Sequence, residues 1–469
     1  MNAIIHPDLL FPAEPGVRSL ARALYAAVKD LPIVSPHGHT DPRWYALNEP
    51  FPDPARLLIV PDHYIFRMLF SQGISLESLG VPRLDGAPVE TDGRAIWRIF
   101  AQNYHLFRGT PTRLWMDYVL SHLFGIDTSL TAATADSSYD AIAEKLADDA
   151  YRPRALLERF NIEAIATTEG ALDDLRWHQI IRDSGWNGRV VTAYRPDAVI
   201  DPDFEGFSDN LDQLADITGC DTGLWKGYLD AHRTRRAFFK TYGATSTDHG
   251  HASAETANLS DAAAEELFNR IRRGSTDERE RRLFRAQMLT EMAKMSLDDG
   301  LVMQIHPGSL RNHSAAMMAR FGRDKGFDIP THTDYVAALR PLLDAVGLEP
   351  NLTVIVFTLD ETSYSRELAP LAGVYPALRL GPAWWFHDSP EGMRRFREMT
   401  TETAGFYNTV GFNDDTRAFP SIPARHDIAR RVDCAFLARL VAEHRMREEE
   451  ACELAIELAH TLAKKAYRL

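Results

Sequence analysis

Cysteine is scarce in this chain: Cys220, Cys434 and Cys452 are its three, far apart and without metal-ligand spacing. That excludes a disulfide scaffold and a thiolate metal centre, and it leads us to expect a reducing, cytoplasmic setting. Long apolar runs are missing too. None approaches the roughly 20 uncharged residues that cross a bilayer, so no membrane span is expected. The opening segment, MNAIIHPDLLFPAEPG, has no basic stretch ahead of an apolar core, so we expect no secretory leader. No internal repeat stands out. Positive charge is in deficit, with 52 Lys and Arg against 66 Asp and Glu and a formal net charge of −14. Such a field argues against nucleic acid and anionic membranes as partners. It also mildly opposes an anionic small substrate, so an acid would have to be met by local arginines.

What is present is a rhythm. Short apolar runs, each ending in polar residues or glycine, alternate with helix-like stretches. The runs are Ile33–Ser35, Ile162–Ala166, Val190–Ala193, Phe238–Tyr242, Leu301–Ile305, Leu352–Phe357, Ala377–Leu380 and Tyr407–Phe412. Continuous apolar runs suit strands buried on both faces. Between them, Phe284–Asp298 places Phe284, Met288, Leu289, Met292 and Met295 at helical spacing. Eight strand–helix alternations in 469 residues predict an α/β fold, a (β/α)8 TIM-type barrel of roughly 250 residues with an elaboration. The polar strand endings then gather at the C-terminal mouth, where barrel active sites are built.

One interval breaks the pattern. Between His39 and Ile162 the chain is too long for one crossover helix and is rich in aromatics and arginine. We read it as a helical insertion after strand 1 that roofs the mouth. The expected division is residues 1–43 for an N-terminal helix (Val17–Lys29) and first strand, 44–155 for the insertion, and 156–469 for the rest of the barrel with C-terminal helices. The acidic run Glu448–Glu453 reads as a solvated face.

His37-Gly38-His39 ends the first run. In an extended segment residues i and i+2 point the same way, so both imidazoles can converge on one ion. Asp415 follows the eighth run, and strands 1 and 8 are neighbours in a closed barrel. Two imidazoles and a carboxylate with open positions suit one catalytic divalent ion such as zinc; otherwise Asp415 only caps a helix near Thr416. His306 ends the fifth run, either as a further ligand or as a substrate contact. A second metal would call for a lysine or glutamate late in strand 4, but Lys240 falls inside its run, so a single ion is expected. Arg195, Arg311 and Arg417 lie in mouth loops. Their planar forks match a carboxylate, although each alone also fits a surface ion pair. Trp384 and Trp385 offer flat faces to a sugar or pack the rim. In the insertion, His63 and Tyr64 are acid/base candidates.

Seven blocks of this sequence resemble the uronate isomerase family: SPHGHTDP (Ser35–Pro42), PDHYIFR (Pro61–Arg67), TAYRPDAV (Thr192–Val199), STDHG (Ser246–Gly250), QIHPGSLRNH (Gln304–His313), PAWWFHD (Pro382–Asp388) and NDDTRAF (Asn413–Phe419). The resemblance implies a distorted barrel of the amidohydrolase kind, usually with zinc. It implies isomerisation of D-glucuronate to D-fructuronate and of D-galacturonate to D-tagaturonate. By block, His37, His39 and Asp415 match the metal site, His63 and Tyr64 a His-Tyr pair, Arg195 and Arg417 the substrate arginines, and Trp384 with Trp385 paired tryptophans. Ser35 and Gly38 stand where many members carry Asp and Cys, and HPGSLRNH departs from a more usual Ala-Leu-Arg-Asn-Asn run. Tyr64, His63 and Asp415 are then the proton-transfer candidates, with a small uronate as partner and a homo-oligomer expected. The competing readings are a metal-dependent hydrolase or decarboxylase on the same barrel, and a non-catalytic sugar-acid binding protein.

Overall fold

A computed structural model describes residues 5–469. Its centre is a parallel sheet built from β1 (Ile33–Ser35), β2 (Ile162–Gly170), β3 (Val190–Arg195), β4 (Ser246–His249) and β5 (Val302–Ile305). After β5 a loop carries a small antiparallel pair, β6 (Ser309–Leu310) and β7 (Ile329–Pro330); β8 (Val354–Val356) and β9 (Leu378–Leu380) then complete the parallel sheet. The strand order is β1-β2-β3-β4-β5-β8-β9, every neighbouring pair parallel. Parallel strands need crossovers, and the intervening helices bury their apolar faces against the sheet in one large core.

Two of the eight expected strands take other forms. Phe238–Tyr242 is the end of the helix Trp225–Thr241, in which His232, Arg235, Arg236 and Phe239 are buried at helical spacing. A short apolar run does not by itself separate strand from helix. Strand 4 begins after it, at Ser246, and Lys240 belongs to the helix, donating to the Asp299 carbonyl. The eighth run forms a single parallel bridge, Leu380 to Thr409. Its apolar pattern is interrupted: Tyr407 is exposed and bonds Glu457, and Gly411 takes φ +75° against the backbone of Leu458 and Ala463. The segment still closes the ring, because the His39 N–H donates to the Thr416 carbonyl at 3.0 Å. The result is a distorted eight-position barrel with seven true strands.

The base is sealed by the two ends of the chain. The helix Pro15–Val28 packs Ala21, Leu24 and Val28 against Leu437, Leu440, Leu454 and Leu458. Tyr467, fully buried, donates to Gln304 of β5 at 2.9 Å inside the ring. Between β1 and β2 the chain is helical, including His63–Ser71, Gly93–Gln102, Pro111–Tyr118 and Ala135–Leu146. Its aromatics, Trp97, Phe100, Tyr104 and Phe107, form a second core that runs into Ile33, Ile162 and Ile165 of β1 and β2. That shared core anchors this helical segment to β1 and β2. No described helix is long and apolar enough to cross a membrane.

Histidines tie the sheet to its helices. His178 Nε2 meets Thr167 of β2 at 3.0 Å, and His232 Nδ1 meets the Tyr194 hydroxyl of β3 at 2.8 Å. Burial pushes His178 down to about 4 and His232 to about 3, so both stay neutral in the fold. The unfolded chain binds protons at these positions once pH drops below about 6.5. Depressed bases contribute stability above that pH and lose it as pH falls toward the folded values. Melting temperature should therefore decline steadily from pH 6.5 to pH 4.5. A flat thermal profile across that interval, by circular dichroism, would contradict this account.

Candidate active site

The mouth is organised by Asp415. This residue holds φ +41°, a left-handed conformation uncommon outside glycine, and three contacts keep it there. Its N–H donates to Asn413 Oδ1 at 3.3 Å, the Trp384 indole N–H donates to Oδ2, and the neighbouring Thr416 carbonyl is tied to His39. A 3-10 turn begins at Phe419 with Ala418 at its cap, and the α-helix after it begins at Ile422 with Ser421 at its cap, so Asp415 caps neither. Oδ1 instead faces His37 Nε2 at 3.4 Å and His39 Nε2 at 3.2 Å, and neither approach has hydrogen-bond alignment. Gly38 sets the pair: its carbonyl accepts from Thr168 at 2.9 Å, leaving the two rings edge to face at 5.1 Å. One donor atom from each of His37, His39 and Asp415 lies within 4.8 Å of the others. Burial pushes His37 down to about 4, so it is a neutral base. Burial opposes the charge on Asp415, but His37 and His39 hold its carboxyl far below the usual range. A buried carboxylate oxygen that faces two imidazoles without bonding either is a donor set that fits a divalent ion.

Behind this group His306 stacks on His37 at 4.8 Å and on Phe357 at 4.0 Å. Its Nδ1 meets Asp248 Oδ1 at 2.7 Å, while Nε2 is buried without a partner. Asp248, at the inward position near the end of β4, turns its other oxygen to Arg195 Nη1 at 3.2 Å. Burial opposes ionisation of Asp248, yet Arg195 and His306 hold it well below the normal carboxylate value. Arg195 is claimed twice, since its Nε donates to Asp197 at 2.8 Å. The guanidinium lies where a side chain at Gly250 would stand: a Cβ there would be 2.3 Å from Nη2.

The helical segment between β1 and β2 also reaches the cavity, through Pro61–Tyr64. Asp62 caps the helix His63–Ser71 by accepting the Tyr64 N–H at 2.8 Å, which turns His63 and Tyr64 toward the mouth. His63 Nε2 accepts from the Trp385 indole at 3.0 Å, and its ring stacks on Tyr64 at 4.6 Å. Burial, reinforced by Arg417, pushes His63 down to about 3. Burial also raises Tyr64 well above a normal phenol, with Arg425 pulling the other way. Arg425 is buried, lies 3.6 Å over Trp115, pairs with Asp388 and reaches the Asp414 carbonyl at 3.3 Å. Burial pushes Asp388 up to about 7 despite that pair.

Together these elements enclose a cavity of about 510 Å³. Of the residues singled out from the sequence, His39, His63, Tyr64, Arg195, Arg311, Trp384, Trp385, Asp415 and Arg417 line it. His37 and His306 are buried behind its wall. Arg417 is 39% exposed and 3.5 Å from Asp324, so it is the more available cation. Arg311 lies 3.4 Å from Asp328 and 5.0 Å over Trp385. Asp248, Arg425 and Asp388 were not singled out. Asp248 and Asp388 lie inside quoted blocks, and the alternation Ser246/Asp248 along β4 was a signal that Asp248 faces inward. Arg425 lies in a helix beyond the blocks and carried no local sign.

Over residues 12–467 the chain matches a sequence model described as glucuronate isomerase. The chain belongs to that family. It is 82% identical to the uronate isomerase of Mesorhizobium japonicum, with all of both chains covered. The solved glucuronate isomerase of Caulobacter crescentus superposes with TM-score 0.98 at 61% identity, over 100% of this chain and 98% of that one. A solved uronate isomerase of Thermotoga maritima gives TM-score 0.91 at 25% identity, over 99% of each.

The unequal pairing of the two arginines separates their roles. Arg417→Met should raise KM for a uronate and lower kcat/KM by about 10- to 100-fold, roughly 1.4–2.8 kcal/mol. Arg195→Met strips cations from Asp197 and Asp248, so it should lower kcat and melting temperature together. Steady-state kinetics with thermal melts would detect the difference; equal effects on KM alone in both variants would refute it.

Proposed function

We propose that this chain catalyses reversible aldose–ketose isomerisation of hexuronates, D-glucuronate to D-fructuronate and D-galacturonate to D-tagaturonate. What supports the reading most is the junction of strand-end and roof residues. Asp415, His39 and Arg195 from the barrel meet His63 and Tyr64 from the insertion in one cavity, within a chain 82% identical to a uronate isomerase. A hydrolase or decarboxylase is not favoured by that full-length likeness. Free cysteines at all three positions accord with a cytoplasmic enzyme.

The reaction moves a proton between C2 and C1 through a cis-enediol. It needs a base over C2, an acid for the carbonyl oxygen, and a fixed grip on the distant carboxylate. Arg417, aided by Arg311, binds the C6 carboxylate, while Trp384 and Trp385 cover the sugar's flat face. With C6 anchored, C1 and C2 lie toward Asp415 and Tyr64. A base on one face of the enediol takes the C2 proton, lets it exchange with solvent while it is held, and delivers a proton to C1 on the same face. Tyr64, whose phenol stays protonated, donates toward a developing oxyanion, and Arg425 offsets the charge left on it. His63 is neutral and takes the Trp385 N–H, so it orients the roof or relays a proton. His37, His39 and Asp415 would hold one divalent ion, zinc being the best match to two imidazoles and a carboxylate, which when bound polarises a substrate oxygen. Residues 44–155 serve as the roof that keeps water from the enediol.

Proton NMR of the purified protein with each uronate in D₂O reports product and site of exchange together. Appearance of the ketose with solvent deuterium at C1 is expected. Hydrolytic or decarboxylated products would reject the reading. Within it, Tyr64→Phe keeps the ring and removes the hydroxyl, so kcat should fall by about 10²–10⁴ with little change in melting temperature. Near-normal turnover in Tyr64→Phe would transfer the role to Asp415 or His63.

A further inference from the structure

A second donor set lies on the outer side of β4. Alternation along that strand sends Ser246 and Asp248 into the ring, where they meet Gln304 and His306. It sends Thr247 and His249 outward. There His249 meets His251, two residues further on, and Asp197, the first residue of the short helix Asp197–Ile200 after β3. One donor atom from each of the three lies within 4.8 Å of the others. His249 is 0% and His251 7% exposed.

The hydrogen-bond inventory of these side chains does not close. His249 Nε2 is taken by Thr247 Oγ1 at 3.1 Å, but Nδ1 is buried and has no partner. His251 Nε2 is likewise buried and unpartnered. Neither imidazole bonds the Asp197 carboxylate, which accepts the Arg195 Nε–H and the Gly250 N–H instead. An imidazole N–H free to reach a buried carboxylate normally closes to about 2.9 Å. Three donors that converge without bonding one another have the spacing of ligands about a common ion. Charge permits it. Arg195 and Arg285 are like charges beside the group, but Asp248 lies 3.2 Å from the first and Asp201, which faces His251, pairs with the second at 2.8 Å.

We infer that Asp197, His249 and His251 form a second metal site, for zinc or a similar divalent transition ion, apart from the His37–His39–Asp415 group. Two imidazoles and one carboxylate match that ion class. The site is structural. It pins the loop after β3 to the loop after β4, and through Asp197 it fixes the guanidinium of Arg195 against Asp248.

Metal analysis of the whole protein tests this, after zinc loading and dialysis against metal-free buffer. Wild type should retain two equivalents per chain, His251→Gln one, His39→Asn one, and the double variant none. One equivalent in wild type, lost in His39→Asn and kept in His251→Gln, would overturn the site. Should His251→Gln fail to fold by circular dichroism, anomalous diffraction from wild-type crystals grown with zinc decides. A peak between Asp197, His249 and His251 supports the inference, and a peak at the His37 group alone overturns it.

Discussion

Two largely buried, ionised carboxylates at the barrel mouth, Asp248 and Asp415, impose the arrangement of everything near them. Buried charge of one sign is tolerated only with close, well-directed partners. Asp248 has Arg195 on one oxygen and His306 on the other. Asp415 has the Trp384 indole on one oxygen and the two strand-1 histidines facing the other. His306 and His37, stacked at 4.8 Å, join the two groups into one block. The protein's negative net charge makes such local compensation necessary before an anionic substrate can enter at all.

The backbone conformation of Asp415 belongs to the same constraint. A non-glycine residue at φ +41° persists where its surroundings over-determine it. Here that means the eighth barrel position cannot continue as a regular strand: pairing ends after Thr409 so that Asn413–Thr416 can bend and present the carboxylate inward. The distortion of the barrel and the exposure of one Asp415 oxygen to His37 and His39 are the same event.

That event marks the limit of what the residues disclosed. Most strands were legible because a parallel strand buried on both faces leaves an uninterrupted apolar run, as in Ile33–Ser35 or Leu352–Phe357. Their polar endings located the mouth, and His37-Gly38-His39 was readable because residues i and i+2 share a direction. Phe238–Tyr242 misled because buried helix ends and short strands share a composition; only the spacing back to His232 and Arg235 tells them apart. Pairings between distant segments, such as Asp248 with Arg195 or Arg425 with Asp388, leave no local pattern. They depend on which strand and helix ends the closed ring brings together.

Arg425 shows how the roof and the barrel are made to act as one. It projects from the helix Ile422–Ala442, the long helix after the eighth position, under Tyr64 of the insertion. Its guanidinium reaches the Asp414 carbonyl, next to Asp415, and lies against the rings of Trp115 and Tyr64. Burial alone drives the Tyr64 phenol far from any working range, and Arg425 is the largest opposing influence on it. Asp388 answers the charge of Arg425, although burial pushes that carboxyl up to about 7. The helical segment between β1 and β2 thus sets the Tyr64 ring beside a cation that the helix after the eighth barrel position supplies.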